Sequence, residues 1–191
     1  MVERIEEALT AMASDSSEYV REAVLSAIDR VRARRSIDRF RALLKEGNLE
    51  EKIHVIYVAE EMGGGEGVAL LLEALSDRED EVRGAAVRSL KSFLTPTVLK
   101  ALWEMLSKES GIVLGNIVEA LGTSGRKELS PHVDRYLAHP DVEVRAKAIV
   151  ASSRLTNAAG WEKILAMRED PDENIRVAVA QGLGNWTVAR P

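Results

Sequence analysis

The chain has 191 residues, of which 46% are hydrophobic and 4% aromatic, and its formal net charge is −5. It contains no cysteine, which excludes disulfide bonds and thiolate metal sites, and its acidic balance disfavours a general nucleic-acid-binding protein. The N-terminal segment carries charges where a signal peptide needs an apolar run, and no apolar stretch is long enough to span a bilayer. We therefore expect a cytoplasmic protein.

One pattern recurs along the chain at intervals of 31 residues. It consists of an aliphatic residue, a basic residue and then small and aliphatic residues, and its strong copies begin at Val20, Val82, Val144 and Ile175. Weaker copies begin in the same frame at Glu51 and Val113. Tandem repeats of this length predict an array in which each repeat contacts its neighbours. We expect a single repeat domain over 1–191, with repeats at about 1–32, 33–63, 64–94, 95–125, 126–156 and 157–191.

Each period predicts two helices. The first has apolar residues at helical spacing, aligned as Leu9, Phe40, Leu71, Leu102, Val133 and Ile164. The second begins near the aliphatic–basic pair, and its apolar residues recur four and eight positions later. Carboxylates five residues before the pair predict helix N-caps at Asp15, Asp77 and Asp170.

The string Asp-x4-Val-Arg-x-x-Ala-x-x-x-Leu, which runs from Asp77 to Leu90, resembles the short HEAT-like repeats named after phycobilisome lyases. The resemblance implies an all-α fold, a right-handed α-solenoid (superhelix) of six HEAT-like helical hairpins with a 31-residue period. It also implies that the arginine of each strong copy is structural and joins a hydrogen-bonded ladder between repeats: Arg21, Arg83, Arg145 and Arg176. Repeat four departs most from the pattern, with Lys108 and Leu114 at the aspartate and arginine positions, and we expect it to be the least stable.

The sequence predicts neither catalytic residues nor a metal site. Iron-dependent hydroxylases of similar architecture carry His-Glu pairs at repeating positions, whereas His54, His132 and His139 occupy different registers and none precedes glutamate. No serine–histidine or cysteine arrangement for nucleophilic catalysis can be assembled. We therefore expect a protein that is not an enzyme and needs no cofactor. A tetrapyrrole-handling or small-molecule-handling, lyase-like protein is the alternative.

The second helices line the concave side of the arrays that this chain resembles. Residues two, six and nine positions after the aliphatic residue should then point into a groove, where aromatic, aliphatic and arginine side chains are favoured interface anchors. We predict that a protein or peptide partner, of a kind the sequence does not specify, binds this concave face through Ile53, Tyr57, Glu60, Arg88, Lys91, Glu119, Val150 and Gln181. The alternative for Tyr57 is that it packs against repeat three.

A basic patch is the second candidate surface. This arginine cluster comprises Arg30, Arg32, Arg34, Arg35, Arg39 and Arg41. It could bind phosphate, nucleic acid or an acidic partner, but two interspersed aspartates and an expected helix–loop–helix junction favour an ordinary solvated surface. Nucleic acid is thus the less favoured partner, and no membrane partner is expected. We expect a monomer, because Ala180 in the last repeat replaces the larger residues of earlier repeats.

Overall fold

The computed structural model describes residues 2–155 and 158–184, with the side chains of 2, 26, 29, 30, 33–35, 158 and 159 left out. Over the described residues the secondary structure is helical, with no strand, which confirms the predicted all-α fold. None of the helices there combines the length and the apolar character that a membrane crossing requires. The chain divides into two compact units, Met1–Val55 and Ile56–Pro191, here called the first and the second unit.

The first unit contains helices α1 (Val2–Met12) and α2 (Glu18–Glu46) and the start of α3 (Leu49–Met62). Helix α1 packs against α2, and Val24 and Ile28 of α2 are buried. Helix α3 begins with a reciprocal capping box, in which the Glu51 amide donates to Asn48 Oδ1 at 3.0 Å and the Asn48 amide donates to Glu51 Oε2 at 2.9 Å.

The second unit consists of helical hairpins. Its helices after α3 are α4 (Gly64–Ala74), α5 (Asp80–Leu90), α6 (Pro96–Met105), α7 (Gly111–Thr123), α8 (Ser130–Asp134), α9 (Val142–Leu155), α10 (Ala158–Ala166) and α11 (Glu173–Gly184). Short 3₁₀ helices at Lys127–Leu129 and Arg135–Ala138 flank α8. The second helices of these hairpins, α5, α7, α9 and α11, begin 31 residues apart, at 80, 111, 142 and 173, and each packs against the next.

Helix α2 is continuous where the repeat pattern predicts a loop. It runs from Glu18 to Glu46, across the expected boundary between repeats one and two, so the predicted helix–loop–helix junction in the arginine cluster is wrong. The segment contains no glycine or proline, and its arginine, alanine and leucine residues favour helix. The helix ends at Gly47, whose amide donates to the Leu43 carbonyl at 2.8 Å.

The predicted capping aspartates act in the loop before the helix. The Oδ1 atoms of Asp15, Asp77 and Asp170 each accept a hydrogen bond from the amide two residues later, at 2.8, 2.9 and 2.9 Å. The helices that follow begin three residues after these aspartates. The N-cap prediction is therefore wrong, because the short aspartate side chain closes a local turn with its own backbone and does not reach the helix.

Candidate protein-binding groove

The face formed by the second helices carries one side chain per repeat that stands six residues after the first residue of the pattern. We call this place position six, and count positions two and nine in the same way. The position-six residues of the second unit are Tyr57, Arg88, Glu119, Val150 and Gln181, on α3, α5, α7, α9 and α11. Tyr57, Arg88 and Gln181 are exposed, while Glu119 and Val150 are half-buried. Tyr57 is 57% exposed, so most of its side chain is accessible on this face.

A groove of about 670 Å³ lies over α7, α9 and α11. Its α9 side is formed by Val142, Ala146 and Val150, which are four residues apart and therefore form one ridge along the helix. Its α11 side is formed by Val177 and neighbouring residues. The floor of the groove is thus apolar, and Val177 leaves 53% of its surface exposed there.

Charged residues form the rim of the groove. Lys147 lies 3.8 Å from the Glu119 carboxylate and 3.5 Å from the Glu143 carboxylate. Lys91 donates to Glu119 at 2.6 Å, and Arg154 donates to the Thr123 hydroxyl at 2.9 Å. Acidic and basic side chains alternate across neighbouring helices, so the rim has no strong net charge.

Polar contacts also join consecutive second helices. Buried Asn116 donates to the Gly84 carbonyl at 3.1 Å and accepts from the Lys147 ammonium, so it links α5, α7 and α9. One repeat earlier, Ser89 donates to the Glu60 carboxylate at 2.6 Å. The predicted partner contacts Glu60, Lys91 and Glu119 therefore already have partners within the chain, and the apolar floor is the surface that they leave open.

Several positions predicted to face the groove are buried between helices. Gly84, Gly115, Gly122 and Ser153, at positions two and nine of the pattern, are all buried. A β-carbon added at Gly122 would lie 2.4 Å from the Ala151 β-carbon. The prediction was wrong at these positions because small residues there allow neighbouring second helices to approach closely, whereas position six remains accessible.

The remaining predicted contact, Ile53, lies one helical turn before Tyr57 on α3 but belongs to the first unit, and it is half-buried. Further exposed or groove-lining residues lie outside the predicted set: Ile112, Val142, Glu143, Lys147 and Arg154. The sequence signal that indicates this ridge is the recurrence of its residues every four positions: Val142, Ala146, Val150 and Arg154.

The four predicted structural arginines share one set of contacts. Each donates from Nη1 to the carbonyls five and six residues earlier, at 2.7–3.1 Å, and so holds the loop before its helix: Arg21, Arg83, Arg145 and Arg176. These bonds lie within one repeat. The expected contact between adjacent repeats is made by Arg83, whose Nε and Nη2 donate to the two Glu109 carboxylate oxygens at 3.0 and 2.9 Å. Hydrogen bonding to Glu109 raises the pKa of Arg83.

The arginine cluster does not form a single surface. Arg32 lies 3.8 Å from Glu6, and Arg41 lies 3.7 Å from Asp38. On a continuous helix, Arg41 faces about 180° away from Arg32, because nine residues turn through two and a half turns. The side chains of Arg30, Arg34 and Arg35 lie outside the described residues.

The three histidines stand at different positions of the repeat and have different surroundings. His54 is exposed on α3. The His132 ring meets the Trp103 ring edge to face at 4.5 Å, and His139 Nδ1 accepts from the Asp141 amide at 3.2 Å. Across the described parts of the chain, no group of three or more histidine, aspartate or glutamate side chains is placed to hold a metal ion.

Packed second helices and a repeated arginine–loop contact define a helical-hairpin repeat protein. A sequence model of HEAT repeats matches residues 42–122. This match confirms the resemblance to HEAT-like repeats over that part of the chain. No curated protein matches the chain in sequence.

Two solved structures are similar to the whole array. The complex of CpcE and CpcF of phycocyanin lyase from Nostoc sp. PCC7120 is 22% identical, with a TM-score of 0.57 over 94% of this chain and 76% of that chain. A crystal structure of an engineered protein is 16% identical, with a TM-score of 0.50 over 96% of both chains. At these identities the similarity shows the fold.

Proposed function

We propose that this protein is a non-catalytic scaffold that binds a protein or peptide partner on the face of its second helices. The observation that carries the proposal is the apolar floor between α9 and α11, where Val177 is 53% exposed and Val150 half-buried. Contiguous exposed apolar surface with a polar rim is typical of interaction sites. Tyr57 and Arg88, in the same row of side chains, are residue types that often anchor interfaces.

The charges around the groove fit binding better than acid–base chemistry. Lys147 is held between two carboxylates and Glu119 between two lysines, so these groups already stabilise one another. The groove is formed within one chain, so a monomer suffices to build it. We place the scaffold in the cytoplasm, because a chain without cysteine suits a reducing compartment.

The solved complex of CpcE and CpcF supports the proposal in one respect, since it is an assembly of two proteins and one of its chains is similar in fold to this one. A lyase-like protein that handles a tetrapyrrole is the alternative function. We expect no co-elution of this protein with biliverdin in gel filtration monitored by visible absorbance. Stoichiometric co-elution that Val150→Glu abolishes would favour the alternative.

Charge placed on the groove floor should abolish partner binding. We expect Val150→Glu and Val177→Glu to remove the partner from affinity capture with native lysate, identified by mass spectrometry, because a carboxylate would be desolvated against the apolar floor. For the identified partner, Tyr57→Ala and Arg88→Glu should each weaken binding by about 2 kcal/mol, or roughly thirtyfold, in calorimetric titration.

The matched control is Leu49→Glu, which changes an aliphatic side chain of similar exposure, 44%, outside the groove lining. It should leave capture unchanged, and circular dichroism should show the same helicity and melting for all five proteins and the wild type. Wild-type affinity in Val150→Glu and Val177→Glu would show that the groove is not the site.

Charge reversal at Arg32, Arg34 and Arg35 tests the arginine cluster. We expect this triple change to leave capture intact and to alter only the salt dependence of weak, nonspecific binding. If it abolishes capture while the groove variants bind normally, the arginine cluster is the binding surface and the groove proposal fails.

A further inference from the structure

One end of the groove carries a cation that no carboxylate neutralises among the described residues. Arg154 stands four residues after Val150, so it lies one helical turn, about 6 Å, beyond the apolar ridge of α9. Its Nη1 donates to the neutral Thr123 hydroxyl at 2.9 Å, and the described part of the chain provides it with no acidic partner. Arg154 is exposed, so its guanidinium is accessible to a carboxylate from another molecule.

The other charges of the rim neutralise one another. Glu119 lies 2.6 Å from the Lys91 ammonium and 3.8 Å from the Lys147 ammonium, and Lys147 also lies 3.5 Å from Glu143. Two lysines therefore balance two glutamates, and Arg154 leaves a positive charge at its end of the groove. Glu143 lies at the opposite end, in the first turn of α9. The groove is thus basic at one end and acidic at the other.

The apolar ridge between these ends has the length of two helical turns. Val142 and Val150 are eight residues apart on α9, which corresponds to about 12 Å. On a partner helix, apolar side chains that recur at spacings of three and four residues form a stripe of the same length. Such a stripe packs into the space between the side chains of two neighbouring helices, here α9 and α11.

We propose that the groove binds an amphipathic helix of a protein partner, and that the apolar stripe of this helix ends in an acidic side chain that binds Arg154. This partner class rests on the proposed function, because it concerns the same groove. Arginine binds a carboxylate through two parallel hydrogen bonds, which fix the direction of approach. The apolar ridge supplies the contact area, and Arg154 selects the acidic end of the partner helix. Acidic residues in the first turn stabilise a helix, so a partner that begins with an acidic turn meets both requirements.

Two fluorescein-labelled peptides test the contact with Arg154. Both are alanine-rich, about five helical turns long, and carry four leucines at spacings of three and four residues. The first peptide has two glutamates in its first turn, ahead of the leucines, and the second has two glutamines there. In fluorescence polarisation we expect Arg154→Gln to weaken binding of the glutamate peptide about fivefold, as an exposed ion pair allows. The same variant should leave the affinity for the glutamine peptide unchanged, because the effect requires both partners of the pair.

The matched control is Arg78→Gln, which removes the same charge from an exposed arginine in the loop before α5, outside the groove lining. It should leave both affinities unchanged, while Val150→Glu should abolish binding of both peptides. Circular dichroism checks that the three variants remain folded.

The outcomes separate this inference from the proposed function. If Val150→Glu abolishes binding but Arg154→Gln weakens both peptides equally, or neither, the acidic end is wrong and the groove stands. Failure of the glutamate peptide to bind would also overturn the partner class, while capture from lysate that is lost in Val150→Glu would still support the groove. Binding that Val150→Glu leaves unchanged would reject the groove and with it both proposals.

Discussion

Glu109→Ala should lower the free energy of unfolding by about 2 kcal/mol, because the Arg83 guanidinium loses its largely buried carboxylate partner and keeps the exposed Asp80 carboxylate, 2.6 Å from Nη2. The side chains of Arg83 and Glu109 are only 16% and 12% exposed, and their two hydrogen bonds are 3.0 and 2.9 Å long. For a chain of this size each kcal/mol corresponds to roughly 2–4 °C, so the Tm should fall by about 4–8 °C in scanning calorimetry.

The matched control is Arg176→Ala. Arg176 donates to two loop carbonyls in the same way as Arg83, at 2.8 and 3.0 Å, but it is exposed. Removing this side chain should lower the free energy of unfolding by about 1 kcal/mol, the usual net contribution of such hydrogen bonds. The double variant Arg83→Ala with Glu109→Ala should be less destabilised than the sum of the single variants, because the two residues act as a pair. Equal effects of Glu109→Ala and Arg176→Ala would show that the bridge between repeats adds nothing.

The repeat pattern predicts the second helices well because packing requires the same residue types in every copy. The starts of α5, α7, α9 and α11 at 31-residue intervals follow from that requirement, and so does the accessible row at position six. Each arginine also stands at a fixed distance from the loop carbonyls that it binds, so its contact is encoded locally within the repeat.

Glu109 could not be predicted in this way. It binds an arginine 26 residues earlier along the chain, and the same position in other repeats holds Ser16, Gly47, Arg78, Pro140 or Pro171. With no acid at those positions, the period gives no signal for a carboxylate. Among the described residues the contact is seen between Arg83 and Glu109, and it depends on how neighbouring repeats meet.

The groove was predicted in outline and missed in detail for a related reason. Periodicity places a residue on a helix face but does not say how close the next helix lies. Positions two and nine of the pattern therefore looked accessible, although Gly84, Gly115 and Gly122 are buried where helices meet. Helix α2 shows a second limit of periodicity. The 31-residue period continues through this part of the sequence, although the backbone forms one helix across the expected repeat boundary.

Helix propensity and packing give opposite expectations for repeat four. Glycine in a helix interior costs about 1 kcal/mol relative to alanine, so helix propensity by itself predicts weak protection of α7 from hydrogen exchange. In the structure α7 is buried over most of its length, including Val113, Ile117 and Leu121. Its glycines allow this close packing, and we expect hydrogen exchange to be as slow in α7 as in α5.

Gly122→Ala decides between the two effects. Propensity alone predicts stabilisation by about 1 kcal/mol, but the added β-carbon would lie 2.4 Å from the Ala151 β-carbon and 2.5 Å from its Cα. Since backbone must move to relieve that overlap, we expect net destabilisation of about 2 kcal/mol and faster exchange across α7 and α9. Gly65→Ala, in α4 with no atom within 4 Å of the added carbon, should instead stabilise by about 0.5 kcal/mol. A Tm that rises for both variants would mean that the helices separate readily at Gly122 and that propensity governs the stability of α7.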